Sequence, residues 1–364
     1  MFFNPKRLTF ARMRRGWTKA RLAKELGLQV RSIQGYESGE YAPEPERLAQ
    51  MSTLLRFPVE FFAGDDLPSI EPDTASFRSM SKMSATLRNT ALGAGVTAFL
   101  LNDWIEERFH LPEADLPDLG DLSPEDAAAT LRRVWGLGEA PIGSMICLLE
   151  VKGIRVYSLA MEAKEVDAFS VWHRGKPFVF LNTFKSAEHG RFDAAHELGH
   201  LIRDRHSMLH GGAHSPEMER EANAFASAFL MPPANVCGRG TAVLTLDRLL
   251  RLKQVWGVSL AALAYRMNQL GFFSEWTYRN LCIQIARNGY RTSEPNPMRP
   301  ESSQILRKVF NALRSEGITH GMLAKELCIM QEDIDNLTFG LALSSVSPTA
   351  GRSTANRGNR RVLS

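Results

Sequence analysis

Residues 195–202 read Ala195-His-Glu-Leu-Gly-His-Leu-Ile202, and this octapeptide decides what the middle of the chain is. Helical spacing surrounds it, with Phe192, Ala195, Leu198 and Ile202 recurring on an inner face. On such a helix His196 and His200 lie four residues apart. Both imidazoles then project from one face about one turn apart, as two ligands of a tetrahedral zinc require. Glu197 stands beside them, where a carboxylate can take a proton from water that a metal has made more acidic. Candidates for a third ligand follow at Glu217, Glu219 and Glu221, 17 to 21 residues beyond His200, on a segment of strong helical character.

Upstream, the pattern is that of strands: Ile154–Tyr157, Asp167–Trp172 and Pro177–Asn182, with His173-Arg-Gly-Lys176 as a hairpin turn. Pro177–Asn182 directly precedes the helix, which makes it the expected edge for a peptide to extend by backbone pairing. His206, His210 and His214 occupy the loop between the two helices. Loop composition favours solvated histidines there, with hydrogen bonding to an oxyanion as the alternative role.

The N-terminal 65 residues have a different texture. The whole chain carries a formal charge of only +4, yet Met1 to Arg31 holds nine Lys or Arg against the single acid Glu25. Such a surplus raises affinity for a polyanion through counterion release. Short helical blocks are expected over 5–15, 18–26, 29–37 and 45–55, separated by Gly16, Gly27, Ser38-Gly39 and Phe57-Pro58. Thr18 can cap the second helix, Leu22, Ala23 and Leu26 point inward, and Gly27 supplies a tight exit. Two helices joined by so short a glycine turn make a helix-turn-helix, whose second helix fits a major groove.

The run Arg15-Gly-Trp-Thr-Lys-Ala-Arg-Leu-Ala-Lys-Glu-Leu-Gly-Leu-Gln-Val-Arg-Ser-Ile-Gln-Gly-Tyr-Glu-Ser-Gly39 resembles the phage-repressor-like, Cro-type helix-turn-helix of the Xre family over about 65 residues. The resemblance implies that Ala23 sits where helices cross, that Ile33 and Tyr36 pack the recognition helix, and that Glu37 with Gly39 closes it. It places Gln29, Arg31, Ser32 and Gln34 at the groove, with Lys19 and Arg12 toward phosphate. Gln29 stands where the family usually has Ser or Thr, so its role as cap or reader is open. The implied partner is a double-stranded DNA operator, usually bound by a homodimer on paired half-sites.

Ala195–Leu201 together with Glu219–Pro232 resembles the ImmA/IrrE family of zinc metallopeptidases, over about residues 75–270 and most strongly over 190–233. The resemblance implies that His196, His200 and a glutamate of the second helix hold Zn2+, that Glu197 is the general base, and that the substrate is a helix-turn-helix repressor. The Glu-Ala-Asn-x-Phe-Ala element begins at Glu221, which is therefore the expected third ligand. Glu219 is the alternative, with Asn223 behind it.

Gly64–Asp73 marks a domain boundary, after which helical spacing is expected from Phe77 to about Phe109 as a scaffold between domains. The longest nearly uncharged run, about Thr90 to Asn102, falls short of the ~20 residues of a spanning helix, and Met1–Phe10 lacks a signal-peptide core. A cytoplasmic protein without membrane contact is expected. Cys147, Cys237, Cys282 and Cys328 are far apart, which supports neither a disulfide scaffold nor a Cys-type zinc site. Toward the C-terminus Leu323-Ala-Lys-Glu-Leu327 repeats Leu22-Ala-Lys-Glu-Leu26, but Met330-Gln-Glu-Asp333 is acidic where a groove-reading helix should be neutral or basic. The expected architecture is helix-rich α+β: an all-α helix-turn-helix domain over 1–65, a zincin-like metallopeptidase domain with a small sheet over 75–270, a helical extension over 271–340 and a disordered tail over 344–364. The expected function is a DNA-binding transcriptional regulator carrying a zinc-dependent endopeptidase that cleaves a repressor or itself. The rival is a non-catalytic repressor or antitoxin that uses the peptidase fold as a sensor or dimerisation body.

Overall fold

The structure, a computed structural model, describes residues 2–71, 76–77, 83–161, 166–204, 215–238 and 245–342. The tail expected over 344–364 and the loop histidines His206, His210 and His214 lie outside the described residues.

Four helices open the chain: α1 (Pro5–Arg14), α2 (Lys19–Glu25), α3 (Val30–Ser38) and α4 (Pro45–Leu55). Thr18 accepts from the Arg21 amide at 3.1 Å and starts α2. Gly27, at φ +65°, turns the chain into α3. Leu22, Ala23, Leu26 and Ile33 are buried as expected, against Leu8, Met51, Leu55 and an aromatic floor of Phe57, Phe61 and Phe62. Arg12 departs from expectation. Its guanidinium forms a two-pronged pair with Glu37 of α3 and donates to the Trp17 carbonyl at 2.8 Å, with only 8% of the residue exposed. It fastens α1 to α3 instead of reaching phosphate, because a carboxylate and a carbonyl inside the fold take its donors.

The next elements are β1 (Ser76–Phe77), α5 (Ala85–Glu106), α6 (Pro124–Val134) and α7 (Met145–Val151). The helix expected from Phe77 begins at Ala85, where Ser84 accepts from the Leu87 amide. Its small apolar stretch Ala91–Gly95 allows close approach on two sides. A Cβ on Gly93 would meet the Arg14 side chain at 2.8 Å, and one on Gly95 would meet Ile70 at 2.8 Å and Phe169 at 3.2 Å. Among the described residues no helix is long and apolar enough to cross a membrane.

β2 (Arg155–Ser158), β3 (Ala168–His173) and β4 (Lys176–Leu181) complete a mixed sheet of order β1-β3-β4-β2. β3 and β4 form the expected hairpin, turned by Arg174 and Gly175 at φ +50° and +76°. β4, expected at the edge, is central: it pairs antiparallel with β3 and parallel with β2. The edge beside β3 is taken by β1, in register Ser76 with Ser170. Order along the chain thus misplaces the edge, because β2 crosses over to the far side of β4. α8 (Ala187–Arg203) lies on β3 and β4, and α9 (Pro216–Leu230) packs against α8 and α6, followed by α10 (Pro233–Gly238), α11 (Leu246–Trp256), α12 (Leu260–Gln269) and α13 (Glu275–Arg287). The last helices are α14 (Gln304–Ser315), α15 (His320–Glu326) and α16 (Gln331–Thr338).

Removing one partner of a buried ion pair leaves the other charge uncompensated, at a cost of about 3 kcal/mol or more. Arg12→Ala is therefore expected to lower the stability of the N-terminal helices by about that amount in denaturant titration. The slope of DNA affinity against salt concentration should stay that of the parent chain, since Arg12 does not face phosphate.

Candidate metal centre and nucleic-acid face

α8 begins where Ser186 accepts from the His189 amide, and its inner face from Ala194 to Ile202 is buried. His196, Glu197 and His200 are each fully buried. The two histidine Nε2 atoms stand 3.1 Å apart, and the carboxylate of Glu219 on α9 approaches them at 3.4 and 3.3 Å. These three ligand atoms all lie within 4.8 Å of one another. Two imidazoles and one carboxylate, turned toward a common point inside the protein, form a donor set that fits a divalent metal of the zinc type.

Close approach of α8 and α9 makes this possible. A Cβ on Gly199 would meet the Phe225 ring at 2.9 Å and the Ala222 Cα at 3.5 Å. The third group brought to the two histidines is Glu219, not the expected Glu221. Successive helical residues turn by about 100°, so residues two apart face nearly opposite ways. Glu221 points away and pairs with Arg203 at 2.9 Å, its side chain 40% exposed. Asn223 stands behind Glu219, but donates to its backbone carbonyl at 2.7 Å and not to its carboxylate.

Two supporting groups escaped the sequence reading. Asp204 lies 2.6 Å from His200 Nδ1, an i,i+4 partner on the same helix that spacing could have revealed. Ser170 of β3 donates to Glu197 Oε2 at 2.7 Å across 27 residues, an interaction with no local signal. Burial would by itself lower the pKa of His200, but Asp204, Glu219 and Glu197 outweigh it and push the pKa up to about 10. Burial would raise that of Glu219, yet His196 and His200 hold it well below the usual carboxylate range.

A second cluster sits earlier on α8. His189 lies 3.2 Å from both Asp167 and Asp193, and Lys185 approaches Asp167 at 2.8 Å. With a lysine already on one carboxylate, this set balances its own charges as an ion-pair network. His189 and Asp193 also line a cavity of about 760 Å³, with Phe192, Asn223, Ser227 and Tyr265 among its other walls. The cavity thus begins about one helical turn from the buried histidines, on the same pair of helices.

On the N-terminal head, Gln29 just before α3 and Arg31 and Gln34 on it are exposed to solvent, and Ser32 is half-buried. Gln29 makes no side-chain capping bond, which removes the cap as its role. Lys19 is 41% exposed and lies 3.3 Å from Glu37, so it stands at the margin of the Arg12 pair.

Two family models match the chain, one for each domain. Residues 10–62 match the family model for a helix-turn-helix, and residues 149–268 match that of the IrrE N-terminal-like domain, a peptidase family. No curated protein matches the chain. The chain therefore joins an Xre-like helix-turn-helix to a metallopeptidase-type domain of the ImmA/IrrE kind.

Glu219→Gln is expected to weaken metal binding by at least about 100-fold in a chelator competition titration, and Glu221→Gln by less than about threefold. The His189 network gives a pH test. Burial opposes the charge on His189, but Asp167 and Asp193 raise its pKa from 6.5 to about 9, so its stabilisation is complete below pH 6.5 and disappears as pH rises through about 9. The stability gap between the parent chain and His189→Gln should be widest near pH 6 and close between those limits, as read from denaturant midpoints.

Proposed function

We propose that the chain is a DNA-binding regulator whose second domain is a zinc-dependent endopeptidase acting on a helix-turn-helix repressor or on the chain itself. The observation that carries this reading is the convergence of His196, His200 and Glu219 beside a Glu197 held by Ser170. A structural metal would need the three ligands but not the second carboxylate, Glu197. Held by His196, His200 and Glu219, zinc would supply Lewis acidity to polarise a peptide carbonyl and to make the attacking water more acidic. Glu197 takes the proton of that water as it attacks and hands it to the leaving amine nitrogen. Ser170 fixes the Glu197 carboxylate by occupying Oε2. Asp204 accepts the Nδ1 proton of His200, which leaves the Nε2 lone pair aimed at the point it shares with His196 and Glu219. The cavity lined by Phe192 and Tyr265 offers room for a substrate side chain next to the site. Arg31 and Gln34, with Gln29 and Ser32, supply the base-reading donors and acceptors, and Lys19 pairs with phosphate. A cytoplasmic location and dimeric operator binding belong to the same reading.

The test is metal content of the purified chain and of Glu197→Gln, followed by incubation of each with the repressor encoded beside it, or alone where no such gene exists. About one zinc per chain in both proteins, with cleavage in the parent and at least a 1,000-fold slower rate in the variant, is the expected result, on the order of the effect of removing a general base. Zinc with no cleavage in either would favour the sensor or dimerisation body, and absence of zinc from both would sink the site.

A further inference from the structure

The C-terminal helices repeat the head in detail. An offset of 301 residues carries Leu22-Ala23 onto Leu323-Ala324, and both pairs are buried. Thr319 caps α15 by accepting from the Met322 amide at 3.2 Å, as Thr18 caps α2. Gly16 and Gly317 both close the preceding helix at positive φ, +67° and +76°. The Leu28 amide donates to Ala23 at 2.8 Å, and the Ile329 amide to Ala324 at 2.9 Å. Gln29 and Met330 both start the following helix without a side-chain cap, and Ile33 and Ile334 are both fully buried. Even the left-handed turn recurs: Gly27 at φ +65° is matched by Cys328 at +52°, a conformation an L side chain rarely adopts.

The second helices of the two units differ in chemistry. At the offset positions of Arg31, Ser32 and Gln34 stand Glu332, Asp333 and Asp335. Three carboxylates would repel phosphate. Asp333 is fully buried instead, with its two oxygens on the two Nη atoms of Arg15, both at 2.7 Å, and with Arg14 at 3.4 Å. Glu332 pairs with Arg56. The head holds its half of this junction in place: Arg15 also donates to the carbonyls of Leu55 and Arg56, each at 2.8 Å, and stacks over Phe57 at 4.5 Å. On the other side Glu326 accepts from Trp104 Nε1 of α5 at 2.6 Å.

We propose that residues 303–341 are a second helix-turn-helix unit that has exchanged DNA for protein: the acidic face of α16 is a docking surface, and its partner is the basic back of the chain's own N-terminal head, Arg14, Arg15 and Arg56. Asp333, buried on Arg14 and Arg15, and Glu332, on Arg56 at the surface, register the head against the peptidase body with α3 left outward, while Asp335 stays within its own unit on His320 at 2.7 Å. The docking does not depend on peptidase activity.

Native-state hydrogen exchange on the full chain tests this, because coupling across an interface is reciprocal. Arg15→Met, on the head side, is expected to lower amide protection in α15 and α16 as well as in α1, by about tenfold. Asp333→Asn should lower the same two sets, and the double variant should go little further. Reduced protection only on the side that carries the substitution would overturn the proposal. Should Asp333→Asn unfold its own unit, Arg15→Met still decides, since it leaves α16 chemically intact. Addition of a 40-base-pair mixed-sequence duplex at low salt is expected to protect α3 and leave α16 unchanged. Protection of α16 by the duplex would overturn the proposal and make the unit a second reader of DNA.

Discussion

Everything chemical in this chain depends on how closely two helices can approach. α8 carries both histidines and Glu197, but the third converging group, Glu219, belongs to α9, and only a residue without a Cβ at 199 lets Phe225 and Ala222 come near enough to bring it in. The sheet fixes the other side, for β3 both packs under α8 and delivers the Ser170 hydroxyl to Glu197. Four ionisable groups share so small a volume because Glu219 pairs with both histidines and Ser170 holds the Glu197 carboxylate. Helix spacing thus sets the electrostatics, and the electrostatics set what the centre can bind.

Short-range features of the fold were legible in the sequence. Periodicity revealed the four head helices, the hairpin and the stripe carrying His196 and His200, because each depends on neighbours within a turn or two. Readings that needed a phase or a distant partner went astray. Glu221 begins a family-like element, yet helical phase gives the inner position to Glu219, and Arg203 on the facing helix takes Glu221 outward. Pro177–Asn182 comes last of the strands before α8, but a crossover puts it mid-sheet. The role of Ser170 depends on a hydrogen bond that no local pattern announces.

The repeated Leu-Ala-Lys-Glu-Leu illustrates the same division in another form. Identity over five residues and one acidic run were enough to doubt a second groove reader. They were not enough to show that cap, turn, core and hydrogen bonds all recur while the reading surface has changed sign. Fold was retained where it depends on small and apolar residues, and DNA reading was abandoned where it depends on charge, two requirements that occupy different faces of one helix.

The pairing of the head's arginines also bears on how it would move along a chromosome. Nine cations in the first 31 residues suggest a strong electrostatic grip, but Arg12 is committed to Glu37, Arg14 and Arg15 to Asp333, and Lys6 faces Asp66. Few charges remain for phosphate beside α3, and every cation withdrawn from the backbone flattens the salt dependence by about one unit of log–log slope. A head with so few free cations is expected to dwell briefly on arbitrary sequence and to leave its occupancy of a chromosome to base recognition at few sites.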